Sequence, residues 1–200
     1  MTYSEAIARL YDAGKREIVL SASACGIIGV LSFILAMAAG AFVRIYLPFS
    51  PVPITLQTFF VLLSGAMLGR RLGPVSQAGY LTIGSLGLPI FAGAAAGFAY
   101  LLGPTGGYLL GFVLASALVG WIIRLETEAT FTWAVFAMTA GSVLIYLLGA
   151  GWLAFVMKVS FVKALSLGVL PFIPGDILKI LSAAAVFTVL QKRVRQIFSK

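Results

Sequence analysis

Apolar residues in this chain come in long unbroken runs, not in the alternating or one-faced patterns of a water-soluble domain. The first run extends from about Ile18 to about Val43, enough to cross a hydrocarbon core, which takes about 20 residues. Runs at about Ile54 to Leu68 and about Pro74 to Leu88 predict two shorter helices, joined by the tight basic turn Gly69-Arg70-Arg71-Leu72-Gly73. A fourth helix is expected from about Tyr108 to Ile123 and a fifth from about Phe131 to Leu148, the latter followed by an apolar linker that contains Trp152. The sixth starts near Ala164, breaks at Pro171 and Pro174, and resumes at Asp176. The expected fold class is all-α: a polytopic membrane protein with a bundle of six transmembrane helices.

Three segments interrupt this pattern. LPFSPVP, with Pro48, Pro51 and Pro53, predicts an ordered re-entrant loop. Pro89 to Gly107 is apolar but carries too many glycines and prolines for a plain spanning helix. Irregular backbone at membrane depth survives only where it is buried in protein or lines a cavity. The third is the break before Asp176.

Composition sharpens this reading. Of 200 residues, 61% are hydrophobic and 10% charged, against roughly a quarter charged in soluble domains. The single membrane domain spans residues 1–200, with a surface segment at 1–17, the bundle at 18–190 and a basic tail at 191–200. Ile7, Leu10 and Tyr11 have the spacing of a short helix lying on the membrane. Arg9, Lys15 and Arg16 before the first run, and Ala36-Met37-Ala38 within it, resemble a signal peptide. The run exceeds the roughly 7 to 15 residues of such a segment, so a permanent helix is expected.

The net charge of +8 is scattered over segment ends and forms no aromatic-interleaved patch, which argues against a nucleic-acid partner. With six crossings, ten of the 14 basic residues fall on the side of both termini, and Arg44, Lys158 and Lys163 fall on the other. Both termini are therefore expected in the cytoplasm, and the irregular segments on the outer side.

The chemistry available is that of binding. There is no histidine and a single cysteine, Cys25, which excludes a histidine triad, a zinc cluster and an intrachain disulfide. GPTGGYLLGF lacks the lysine of a phosphate loop, so no cofactor is expected and any ATP must be hydrolysed by another subunit. Its plainest role is a turn capped by Thr105 at the start of the fourth helix.

Asp176 and Lys179 are the two charges inside the last apolar run, where ionisable groups usually pair or hold a ligand. Asp176 follows Pro174-Gly175, so it also reads as a helix N-cap, with Lys179 on the same face as its ion-pair partner. Thr55, Gln57 and Thr58 near the second helix and Tyr80 on the third offer hydrogen bonds toward the same cavity. Gly29, Ser32, Ala36 and Gly40 form a small-residue stripe on the first helix, for packing within the bundle or against a partner.

Together, PVPITLQTFFVLLSGAMLG (51–69), GLPIFAG (87–93), GPTGGYLLGF (103–112) and LPFIPGDILK (170–179) closely resemble the BioY family, the biotin-specific substrate-binding S components of energy-coupling factor (ECF) vitamin transporters. The resemblance covers about Ile18 to Leu190. It implies a six-helix bundle in a prokaryotic cell membrane that binds biotin with high affinity from outside, is no enzyme, and works with a transmembrane T subunit and two ATPase subunits. It implies that Asp176 and Lys179 belong to the biotin site, and that the stripe on the first helix docks on the T subunit. The remaining walls are expected from Gln57, Thr55, Tyr80, Phe91, Gly97 and Tyr108. Asp176 can accept from a ureido N–H, and Lys179 can meet the ureido carbonyl or the carboxylate. Neighbours about 5 to 6 Å apart on one helical face do not easily hold both ends of biotin.

Overall fold

The computed structural model describes residues 22–198. The proposed surface helix at 1–17 and the start of the first helix lie outside the described residues. Helix α1 (Ala22–Phe42) leads into a two-stranded antiparallel ribbon, β1 (Arg44–Ile45) with β2 (Ile54–Thr55), which pairs Arg44 with Thr55 and Ile45 with Ile54. The proline-rich loop is the connection within this ribbon. The second helix therefore begins at Gln57 and not at Ile54, and Thr55 stands on a strand. Its backbone pairs across to Arg44, which the apolar run could not reveal.

Helix α2 (Gln57–Ser85) is a hairpin of two limbs. The reversal occurs at Gly69, with φ 76° and ψ −176°, a conformation open to glycine and strained for other residues. Only Gly69 of the expected Gly69–Gly73 turn leaves the helix, and Pro74 is accommodated inside the second limb. The limbs lie in close contact: Gln77 Nε2 of the second donates to Ser64 Oγ of the first at 2.9 Å.

After the hairpin, Phe91 and Ala95 form an isolated bridge and α3 (Phe98–Leu101) is a single turn. Helix α4 (Gly106–Ile123) follows. Thr105 occupies its N-cap position, but its side chain makes no capping bond, which corrects the expectation. Helix α5 (Phe131–Met157) continues through the expected linker. Trp152 lies within it and donates from Nε1 to Gly103 O at 2.9 Å. Lys158, in a left-handed conformation, ends it.

The short α6 (Phe161–Gly168) is capped by Ser160, whose hydroxyl accepts from Lys163 N. The last helix, α7 (Ile173–Phe198), starts three residues before Asp176. Pro174 is accepted in its first turn, and Asp176 N already donates to Phe172 O at 2.9 Å. Asp176 is consequently inside the helix and is no N-cap. Its carboxylate is turned into the bundle.

Helix α2 packs against α4, α1 and α7, while α5 completes the bundle against α4 and α7. Two apolar clusters divide the interior. One gathers Tyr80, Phe91, Tyr108, Phe112, Ile145 and Phe172 at the end bearing the loops. The other gathers Leu62, Val119, Ile122, Met138, Ala183 and Phe187 toward the hairpin bend. Near that bend α4 meets α2 backbone to backbone: a Cβ added at Gly120 would lie 2.5 Å from Arg70 N and Gly69 C.

Large apolar side chains cover the outside, among them Ile27, Leu31 and Leu35 on α1, Leu114 on α4, Phe136 and Leu147 on α5, and Leu178 and Val189 on α7. A soluble monomer rarely exposes such continuous apolar surface. Among the described residues, four helices are long and apolar enough to cross a membrane: Ser23–Phe42, Gly106–Ile123, Phe131–Met157 and Ile173–Gln191. The limbs of α2 are shorter, about 18 and 24 Å at 1.5 Å per residue.

The stripe on α1 divides between inside and outside. Gly40 is buried, and a Cβ there would lie 2.9 Å from the ring of Phe60 and 3.3 Å from Gln57 N. It packs within the bundle. Ser32 is exposed, and Gly29 and Ala36 are partly exposed.

Gly120→Val is expected to destabilise the detergent-solubilised protein by about 1–3 kcal/mol through overpacking at the hairpin bend. Thermal unfolding beside Gly151→Val, where the added Cβ meets open space, checks this. Equal midpoints for the two variants would show that the close approach is not required.

Candidate binding site

The ribbon, the glycine-rich segment and the start of α7 meet around one cavity of about 60 Å³. Val52, Pro53 and Thr55 come from the ribbon, and Ala92, Tyr100 and Thr105 from the glycine-rich segment. Gln57 and Thr58 come from α2, Tyr108, Leu109 and Phe112 from α4, Ile145 and Tyr146 from α5, and Phe172, Asp176 and Lys179 from the last turn and helix. The three irregular segments thus converge on a cavity, as their composition suggests.

At its floor lies a four-residue polar cluster. Lys179 Nζ donates to Asp176 Oδ1 at 2.6 Å and to Thr58 Oγ1 at 3.2 Å. The Thr58 hydroxyl donates in turn to Asp176 Oδ1 at 3.2 Å, and the Tyr146 hydroxyl donates to Asp176 Oδ2. Both charged side chains are largely enclosed, Lys179 at 12% and Asp176 at 6% side-chain exposure. A carboxylate removed from water needs partners on both oxygens, because an unpaired buried charge costs several kcal/mol. The partners come from α2, α5 and α7, so the cluster also ties three helices together.

Valence leaves part of this cluster available. A carboxylate offers about four acceptor positions, and Asp176 uses three; an ammonium has three N–H donors, and Lys179 uses two. One acceptor position, on Asp176 Oδ2, and one donor of Lys179 Nζ remain.

Higher in the cavity, Gln57 is buried and its Nε2 donates to Tyr80 Oη at 2.9 Å, while Tyr80 donates to Ile90 O at 2.9 Å. Thr55 Oγ1 donates to Gln57 Oε1 at 3.2 Å. Tyr108 donates to Gly168 O at 2.8 Å and presents its ring to the cavity. Of the residues expected at the site, Asp176, Lys179, Gln57, Thr55 and Tyr108 line the cavity. Tyr80, Phe91 and Gly97 stand behind its wall. Tyr80 fixes the Gln57 amide. Phe91, fully buried, stacks on Tyr100 with ring centroids 4.9 Å apart, and Gly97 N donates to Gly84 O at 2.8 Å. These three shape the wall from outside.

The sequence reading missed Tyr146 altogether. Its only sequence signal is a hydroxyl inside the apolar run of α5, and its partner lies 30 residues away. From the sequence Thr58 is only a general hydrogen-bonding group; its place between Asp176 and Lys179 depends on α2 packing against α7.

A multi-pass membrane bundle with one buried ion pair opening onto an apolar, aromatic-walled cavity is built as a small-molecule binding protein. Comparison with known proteins agrees. The family model of the BioY family matches residues 15–196, and the chain belongs to this family. It is 39% identical over 160 residues to the biotin transporter BioY of Thermotoga maritima, covering 80% of this chain and 92% of that protein. It is 41% identical over 165 residues to the probable biotin transporter BioY of Pyrococcus horikoshii, covering 81% and 93%. Among solved structures, the S component for biotin from an ECF-type ABC transporter superposes with a TM-score of 0.78, covering 96% of this chain and 95% of that one at 24% identity, a likeness of fold. These relatives are named as transporters and not as enzymes.

Lys179→Met strips the carboxylate of its only charged partner and is expected to destabilise the bundle by about 3 kcal/mol, whereas Asp176→Asn combined with Lys179→Met recovers most of that loss. Thermal unfolding of the two variants in detergent checks it. A double variant less stable than the single one would refute the pairing.

Proposed function

We propose that this chain is the high-affinity biotin-binding S component of an ECF-type vitamin uptake transporter. The observation that carries the reading is that the paired Asp176 and Lys179, both lining the cavity, keep one unused acceptor and one unused donor. A cyclic urea presents the complement, an N–H next to a carbonyl. Asp176 accepts the ureido N–H and Lys179 donates to the ureido carbonyl, so both charges grip one end of biotin. Such charge-assisted bonds are roughly twice as strong as neutral ones. The family's relatives, named as biotin transporters, support the same ligand.

The apolar bicycle and its thioether then lie among Phe112, Ile145 and Tyr108, where aromatic edges suit sulfur. Gln57 and Thr55 edge the polar side, with Tyr80, Phe91 and Gly97 holding the walls. At about 60 Å³ the cavity has room for only a few waters, so the ribbon and the glycine-rich segment move outward to admit the vitamin.

Counting both limbs of α2, the bundle crosses the membrane six times. In that topology the basic residues place both termini in the cytoplasm and the cavity in the outer half of the bilayer. The charge-poor interior and the lack of an ATP-binding motif fit a subunit energised by others: a T subunit and two ATPase subunits. The exposed part of the α1 stripe, Gly29, Ser32 and Ala36, is the face offered to the T subunit, without Gly40. Reorientation in the membrane then releases biotin inward.

Calorimetric titration of the purified protein should give heat with biotin and none with thiamine or riboflavin. Silence with biotin would end this reading. Asp176→Asn is expected to weaken biotin binding at least tenfold, about 1.4 kcal/mol, while the protein stays folded; unchanged affinity would reduce Asp176 to a structural role. Ala36→Leu should spare biotin binding and abolish co-purification with a T subunit, and intact co-purification would assign the stripe to internal packing.

A further inference from the structure

A second cavity lies at the opposite end of the bundle, where the bend of α2 meets the ends of α4 and α7, with a volume of about 540 Å³. Pockets for small molecules run from about 300 to 1,000 Å³. Its lining carries Arg70, Arg71 and Arg124 against one carboxylate, that of Glu126, so positive charge is in excess. None of the three guanidiniums forms an ion pair with a carboxylate among the described residues. Orientation of the chain asks only that basic residues lie on this side of the membrane, not that three from two helices surround one cavity.

The backbone that carries these cations is firmly placed. Arg70 and Arg71 follow the reversal at Gly69, and Arg124 is the C-cap of α4. Gly120 brings the two together, since a Cβ there would lie 2.5 Å from Arg70 N. Trp133 of α5 holds the end of α4 by donating from Nε1 to Ile122 O at 3.1 Å, and Gln191 of α7 holds the following loop by donating from Nε2 to Ala129 O at 3.0 Å. The arginine side chains themselves are exposed, so a ligand reaches them from outside without opening the bundle.

Depth identifies the kind of anion. Ile123 and Gln191, the last residues of two candidate membrane spans, both line the cavity, which therefore sits where hydrocarbon gives way to headgroups. Met67, Leu72 and Phe187 add apolar walls, which suit the glycerol backbone and first acyl carbons of a lipid and offer nothing to a free phosphate ion. Guanidinium matches phosphate oxygens bidentately, and basic pockets between membrane helices are suited to anionic headgroups.

We infer that this cavity binds the headgroup of an anionic phospholipid, with Arg70, Arg71 and Arg124 donating to its phosphodiester. The site is separate from the biotin cavity and does not depend on the ligand assigned there. A lipid held this way bridges the bend of α2 and the end of α4.

The test titrates the full-length protein in detergent with phosphatidylglycerol and with phosphatidylcholine of the same acyl chains, counting bound lipid by native mass spectrometry. The wild-type protein should bind phosphatidylglycerol at least tenfold more tightly than phosphatidylcholine. Arg71→Gln combined with Arg124→Gln should lose at least tenfold in affinity for phosphatidylglycerol and less than twofold for phosphatidylcholine. Lys158→Gln combined with Lys163→Gln, which removes the same charge at the other end of the bundle, should lose less than twofold for either lipid. Equal wild-type affinities for the two lipids, a comparison that needs no variant, would overturn the assignment. Equal losses in the two double variants would also overturn it, reducing the effect to net charge. Displacement of phosphatidylglycerol by an equal concentration of inorganic phosphate would overturn the lipid assignment in favour of a free anion.

Discussion

A carboxylate held below the surface of an apolar bundle governs this structure. Asp176 keeps its place because Thr58, Tyr146 and Lys179 bring donors to it from three helices. Each donor requires a particular packing: the first limb of α2 against α7, α5 against α7, and one helical turn within α7. The bundle cannot slide one helix past another without leaving charge unpaired in a medium that cannot solvate it. Much of the surrounding geometry serves this constraint. The hairpin at Gly69 returns α2 along itself, and the break after Gly168 starts α7 early enough to turn Asp176 inward.

The same cluster is unfinished in a useful way. Its members satisfy each other well enough to survive without a ligand, yet one acceptor and one donor stay unused in two residues that line the cavity. Relatives in the BioY family, to which the chain belongs, are named as biotin transporters, and the proposed ligand carries a urea complementary to those two groups. Recognition by a prepaid ion pair avoids ordering two free charges at the moment of binding, which favours tight association with a small neutral ring.

Much of this was legible in the sequence because charge and backbone-breaking residues are conspicuous in an apolar chain. Asp176 and Lys179, the proline-rich loop, the glycine-rich segment and the turn at Gly69 all announce themselves against runs of leucine and alanine. Features set by long-range contact were not legible. Tyr146 became a site residue only through a partner in another helix, and Thr55 joined a strand because Arg44 lies opposite. The α1 stripe looked uniform along one helix, but Phe60 covers Gly40 and leaves Ser32 outside. Capping by Asp176 and Thr105 was plausible from residue type, and in each case the tertiary arrangement took the side chain elsewhere or left it unused.

The account turns on which end of biotin meets the buried pair. A crystal structure of the biotin-bound protein decides this directly. It should show a ureido nitrogen about 2.7 to 3.2 Å from Asp176 Oδ2 and the ureido oxygen within the same range of Lys179 Nζ. A structure with the biotin carboxylate on Lys179 and the ureido ring toward the loops would contradict it.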